Sequence, residues 1–149
     1  MARLRSGSGQ AMLEFALVLP LLVILLVGII FGGITFYDYV TLANAVAIGA
    51  RTLATNRAVG AGPPDACSLA ETALQNAAYS LKQSSITIAD PTFTGTGGST
   101  CSALAPGDAA TMSATYPCYM TIPFLNINLC PVVNANGSFI SSQTTVRIE

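Results

Sequence analysis

The residue with the most chemistry in this chain sits near its start. Gly9-Gln10-Ala11-Met12-Leu13-Glu14-Phe15 leads directly into a long apolar run. A carboxylate at the edge of such a segment is costly to desolvate, so Glu14 needs either a partner or a place at the water boundary. At the boundary it could snorkel and complement the positive end of a helix. Elsewhere the chain offers little for catalysis. Histidine is absent, which removes the commonest general base and metal ligand. The acidic residues Glu14, Asp38, Asp65, Glu71, Asp90, Asp108 and Glu149 are scattered over different elements. Gly95-Thr96-Gly97-Gly98 lacks the strand-to-helix context of a phosphate loop. Asn136-Gly137-Ser138 matches a glycosylation sequon but reads first as a turn. These residues predict neither an enzyme nor a cofactor. Net charge is near zero and no basic run or arginine cluster occurs, so nucleic acid is not an expected partner.

Glu14 has to be positioned by the segment that follows it. The chain has 149 residues, enough for one domain, with a very low charged fraction and positive mean hydropathy. Phe15 to Tyr37 carries no charged side chain. As a helix it would reach roughly 34 Å, enough to cross a hydrocarbon core of about 30 Å. Arg3 and Arg5 precede it in an acid-free leader, and Asp38 follows it. The positive-inside rule then places the N-terminus in the cytoplasm and the remainder in the periplasm or outside. A secretory signal peptide cut near Ala43-Asn44-Ala45 is the competing interpretation. It is disfavoured by the length of the run and by Glu14. Pro20 is tolerable inside a membrane helix, with a kink. Gly28, Gly32 and Gly33 form a small-residue patch. Gly28-x-x-x-Gly32 suits close packing against another helix, although glycine is also simply common in membrane helices.

The pattern continues past the membrane. Tyr39, Leu42, Ala43, Val46, Ala47, Ala50, Leu53 and Ala54 recur at helical spacing, which predicts one long helix ended by Gly60-Ala61-Gly62-Pro63-Pro64. A second helix opens at Asp65, capped by Asp65 or Ser68, with Glu71 complementing its N-terminus. Its apolar stripe is Leu69, Ala73, Leu74, Ala77, Ala78 and Leu81, and its expected mate is the first helix or a small sheet. Period-two patterning then predicts strands at Ser85–Ala89, ended by Asp90-Pro91, at Thr111–Tyr116 with a continuation through Tyr119–Ile122, and at Ser141–Ile148. Thr94 to Pro106 reads as a loop, and Asn134-Ala135-Asn136-Gly137 as a turn. The fold class is α+β. It has a leader at 1–9, a transmembrane and extended helix at 10–60, and a small extracytoplasmic domain at 65–149 with about three antiparallel strands. Cys67, Cys101, Cys118 and Cys130 all follow the membrane segment, where an even count predicts two disulfides. A four-thiolate zinc site is disfavoured because no Cys-x-x-Cys occurs. Of the three pairings, Cys67–Cys101 with Cys118–Cys130 closes the shortest loops.

Gly9-Gln10-Ala11-Met12-Leu13-Glu14-Phe15-Ala16-Leu17-Val18-Leu19-Pro20 resembles the N-terminus of the TadE/TadG-like pseudopilins of the tight-adherence (Tad) branch of the type IV pilus systems. Gly49-Ala50-Arg51 resembles the end of their small-residue helix, and Thr144–Glu149 a closing strand that many members carry. The specific match covers about the first third of the chain. The resemblance implies cleavage by a prepilin peptidase between Gly9 and Gln10, making Gln10 the first residue and Glu14 the fifth. It further implies that Glu14 pairs with the new α-amine, in its own chain or the next subunit. The role implied is a structural one, in assembling or priming a pilus from the inner membrane. Implied partners are the major pilin, other minor pilins, the inner-membrane platform with its secretion ATPase, membrane lipid, and further copies in a homo- or hetero-oligomer. The globular part is larger than that of the system's usual major pilin, which argues against the ordinary major subunit. The alternatives are a filament-forming major pilin of the larger type and an unprocessed membrane-anchored binding domain.

Overall fold

A computed structural model describes residues 7–56, 64–95, 100–101, 104–118, 121–122, 127–128, 130, 132–134 and 137–148. Its first element, α1, is a single helix from Gly7 to Thr55, and it passes through Pro20 without interruption. Exposure divides this helix into two parts. From Gly9 to Leu26 every residue is exposed, including Phe15 and Leu21. Burial begins at Leu42 and then recurs at Ala45, Val46, Gly49, Ala50 and Leu53. These positions form one face of a helix, spaced by three and four. The face is rotated from the expected one. Ala45 and Gly49 lie at its centre, while Ala43, Ala47 and Ala54 are only half-buried.

Helix α2 runs from Ala66 to Ala77. Asp65 is its N-cap, its carboxylate accepting from the Ser68 N–H at 2.9 Å. Glu71 falls beyond the first turn, so the cap alone complements that end. At the other end Gln83 Nε2 donates to the carbonyls of Gln75 and Ala78, at 3.0 and 2.9 Å, satisfying acceptors the helix leaves open. A short 3-10 turn at Gln83–Ser85 follows. The buried stripe is Ala66, Cys67, Ala70 and Leu74, continued by Ala78 and Leu81 beyond the helix. Leu69, Ala73 and Ala77, expected in that stripe, are half-buried. The mate of α2 is α1.

The strands are β1 (Thr87–Thr94), β2 (Ala109–Pro117), β3 (Thr121–Ile122), β4 (Ile127–Asn128), β5 (Val132–Asn134) and β6 (Gly137–Arg147). Three long antiparallel strands make the sheet β1-β2-β6, and short β5 extends it beyond β6. β3 and β4 form a separate hairpin. Three strand boundaries differ from expectation. Asp90-Pro91 does not end β1 but interrupts its pairing, with a register shift between Ala89 and Thr92. A proline is tolerated there because β1 is an edge strand among the described elements. β2 stops at Pro117, and β3 is a distinct strand rather than its continuation. β6 begins at Gly137, three residues after β5 ends at Asn134, so the expected Asn134–Gly137 turn joins two paired strands.

On β2, Ala110, Met112, Ala114 and Tyr116 alternate inward, and α1 packs against this face of β2 and β6. Gly49 is the tightest point. A Cβ there would lie 3.1 Å from the Ala70 carbonyl oxygen, the Leu74 Cβ and the Met112 Sδ. Helix α1 therefore runs between α2 and the sheet, and the core is filled by Leu42, Val46, Leu53, Leu74, Met112 and Ile148. Both expected disulfides are present, Cys67–Cys101 and Cys118–Cys130, with Cα atoms 5.6 and 6.1 Å apart. The first ties α2 to the loop between β1 and β2, and the second closes the β3–β4 hairpin.

Two predictions concern this core. Gly49→Val should destabilise the domain by about 1–3 kcal/mol, because only the Met112 thioether can move aside, while the Ala70 carbonyl and Leu74 Cβ are fixed by α2. Thermal unfolding of the full chain in detergent reads this; an unchanged midpoint would show that α1 and α2 are not pressed together at Gly49. The double substitution Cys67→Ser with Cys101→Ser should lower stability by roughly 2–4 kcal/mol through a looser unfolded-state constraint. Denaturant titration with and without the bond measures it, and equal midpoints would discount that bridge as a staple.

Candidate functional site

The residues singled out at the N-terminus share one environment. Gly9, Gln10, Glu14 and Pro20 lie on the part of α1 that projects beyond the domain, exposed on all sides. Gln10 and Glu14 are one helical turn apart, about 6 Å along the axis and on the same face. A positive group at residue 10 and the Glu14 carboxylate can therefore meet within one chain. Because both are exposed, a neighbouring helix could supply either partner equally well. A Cβ placed at Gly9, Gly28 or Gly33 would meet nothing within 4 Å, so the glycines create a smooth surface that this chain does not itself use. Gly32, the second glycine of the spaced pair, lies one turn from Gly28 on the same stretch. Helix α1 carries only three charged residues, Glu14, Asp38 and Arg51. The first two bracket the apolar run, and Arg51 stands well beyond it.

Among the described residues one helix is long and apolar enough to cross a membrane, and its most apolar window has no buried share in the domain. The backbone of such a span satisfies its own hydrogen bonds, and Thr35 adds a hydroxyl bond to the Phe31 carbonyl at 3.0 Å. The first turn differs from expectation. Gly7, Ser8 and Gly9 belong to the helix rather than to an extended leader. Glycine costs about 1 kcal/mol in a helix relative to alanine, so this turn is inexpensive to unwind.

The remaining candidates are dispersed. No group of three or more metal-ligating side chains forms among the described residues, and the four cysteines are committed to disulfides. Asp65 serves as a helix cap, and its hydrogen bond from Ser68 holds its carboxyl below the usual carboxylate range. Asp108, absent from any expected site, is the one buried charged side chain among the described residues. A Cβ on Gly95 would collide with the Asp108 carboxylate, so glycine at that position leaves room for it. The Asp108 backbone carbonyl also accepts from the Ile148 N–H at 2.8 Å, pinning the end of the chain to the start of β2. No local motif in the sequence marked Asp108 as buried.

The long helix and its flanking glycine and glutamate thus stand apart from the core that the rest of the chain builds. No curated protein and no solved structure is significantly similar to this chain. Residues 9–51, under a third of the chain and all within α1, match the family model described as TadE-like protein.

Proposed function

We propose that this protein is a pseudopilin-like structural subunit that helps assemble or initiate a Tad-type pilus. The observation that carries this reading is a coincidence of three features in one segment. The TadE-like match starts at Gly9, the Gly9 to Glu14 spacing lies within it, and the same residues form a free-standing apolar helix. Helix α1 would sit in the inner membrane with Arg3 and Arg5 in the cytoplasm and the α+β domain outside. A prepilin peptidase would cut after Gly9. The glycines of the first helical turn make its unwinding into an extended substrate inexpensive. The cut would create an α-amine on Gln10. That amine and the Glu14 carboxylate offset each other's charge at the membrane boundary, within one subunit or between two.

In this reading the chain does no catalysis. Its partners are the peptidase, the major pilin and sibling minor pilins, and the membrane platform through which the assembly ATPase acts. Gly28 and Gly32 would face a neighbouring helix, where small residues permit close approach. Pro20, whose missing N–H frees the carbonyl one turn earlier, would give that neighbour a polar contact. The larger globular part favours a minor subunit over the bulk of a fibre.

The mature N-terminus tests the reading directly. Mass spectrometry of the protein from native membranes or sheared pili should find a chain beginning at Gln10. A chain beginning at Met1 or Ala2 would reduce it to an unprocessed anchor, and one beginning near Val46 would make the apolar run a signal peptide. Glu14→Ala should leave membrane insertion intact yet reduce assembled pili severely. Normal piliation in that variant would rule out the amine pairing.

A further inference from the structure

Past the last turn of α2 the chain doubles back on itself. Gln83 Nε2 donates to the carbonyls of Gln75 and Ala78, at 3.0 and 2.9 Å. Two backbone bonds shape the bend. The Leu81 N–H donates to the Ala78 carbonyl, and the Ser85 N–H to the Lys82 carbonyl, both at 2.9 Å. The 3-10 turn at Gln83–Ser85 is thereby held beside the end of α2. An open groove of about 590 Å³ lies there, lined by Gln75, Asn76, Tyr79, Gln83 and Ser84. Small-molecule sites span roughly 300–1,000 Å³, so the groove has room for a ligand.

All five lining residues are exposed, whereas Leu74, Ala78 and Leu81 of the same segment enter the core. No charged side chain lines the groove. Its polar groups are three carboxamides and a hydroxyl, each able both to donate and to accept. Gln83 commits its N–H groups to the helix end, which leaves Oε1 as an acceptor on a side chain already held in place. Tyr79 stands among these groups and is 83% exposed. Among the described residues every other exposed large hydrophobic side chain belongs to α1. A bare aromatic ring beside neutral donors and acceptors narrows the choice of ligand. A protein partner covers an aromatic anchor with further apolar groups, and no other apolar side chain lines this groove. An anionic ligand calls for a cation, and Lys82 is not among the lining residues. A sugar ring presents a C–H face to an aromatic ring and hydroxyls that donate and accept, with no charge to neutralise.

From this groove we infer that the exposed side of α2 carries a binding site for a neutral saccharide. Tyr79 is the platform on which one face of a sugar ring stacks. Gln75, Asn76 and Ser84 exchange hydrogen bonds with its hydroxyls, and Gln83 Oε1 accepts from another. The two bonds that hold Gln83 lower the ordering cost of that contact. An open groove grips its ligand from one side, so the affinity expected is about millimolar. The site is built by α2 and the turn after it, and the inference does not depend on what α1 does.

The full chain would be purified in lauryldimethylamine oxide, a detergent that carries no sugar to compete. Saturation-transfer difference NMR would then be recorded with neutral trisaccharides of glucose, mannose, galactose and N-acetylglucosamine, each at about 5 mM, where a millimolar site is well occupied. The expected result is transfer to the ring protons of at least one of them. Tyr79→Ala should weaken that binding about tenfold, the loss of a stacked ring, and leave the unfolding midpoint unchanged because the side chain is exposed. Tyr79→Phe should retain it, since the ring is the platform. Asn76→Ala should weaken it several-fold, and carries the test should Tyr79→Ala fold poorly. Transfer at full strength in both Tyr79→Ala and Asn76→Ala would place the sugar elsewhere and overturn the site. No transfer to any of the trisaccharides would overturn the saccharide assignment and leave the exposed ring to a protein partner.

Discussion

The continuity of α1 is the constraint on which this structure depends. A segment in hydrocarbon has no water to satisfy its backbone, so it must remain helical for the whole crossing. Helix α1, long and apolar enough for such a crossing, does not stop where its apolar run ends but becomes the central element of the domain, running to Thr55 between α2 and the sheet. Any tilt or rotation of the span is therefore transmitted to the core as a rigid movement. The converse also holds, because nothing in the described helix acts as a hinge between Tyr37 and Leu42. The domain is built around this one rod, and Gly49 marks how closely its neighbours press on it.

A core organised in this way is rich in small residues. Ala45, Ala50, Ala66, Ala70, Ala78, Ala110 and Ala114 are all buried, which brings α1 near both α2 and β2 but removes little apolar area per residue. Small domains with thin cores commonly depend on covalent staples. The two disulfides join α2 to the loop after β1 and close the hairpin after β2, with Cys67, Cys118 and Cys130 buried in the core. Edges are managed by a different device. The register shift at Asp90-Pro91 breaks the outer edge of β1 and discourages its pairing with another chain.

Much of this was legible in the sequence, for identifiable reasons. The span, α2, its cap at Asp65 and the disulfide pairing follow from long apolar patterns, a specific capping residue and loop closure. The buried face of α1 was misplaced because alanine occurs on every side of the helix after Tyr39. Periodicity cannot rank Ala43 and Ala47 against Ala45 and Gly49 when all are small. The extent of β1 was misread because a proline ends a central strand but is compatible with an edge, and strand order is not visible in sequence. Gly95 and Asp108 meet only through the fold, so nothing local marked them. At the N-terminus, Gly9, Gln10 and Glu14 were legible as a motif from their spacing at the head of the apolar run. The structure adds that they stand on an exposed helix which the domain leaves uncovered.

Charge follows the same division of α1 into an exposed and a buried part. Along α1 it is confined to Glu14, Asp38 and Arg51, with the first two at either end of the apolar run. Beyond α1, Asp90 lies within β1, Asp108 directly precedes β2 and Arg147 ends β6, and the chain between Asp108 and Arg147 has no Asp, Glu, Lys or Arg. Charge and burial along α1 thus agree: the uncharged stretch from Phe15 to Tyr37 is also a stretch in which the domain buries no residue.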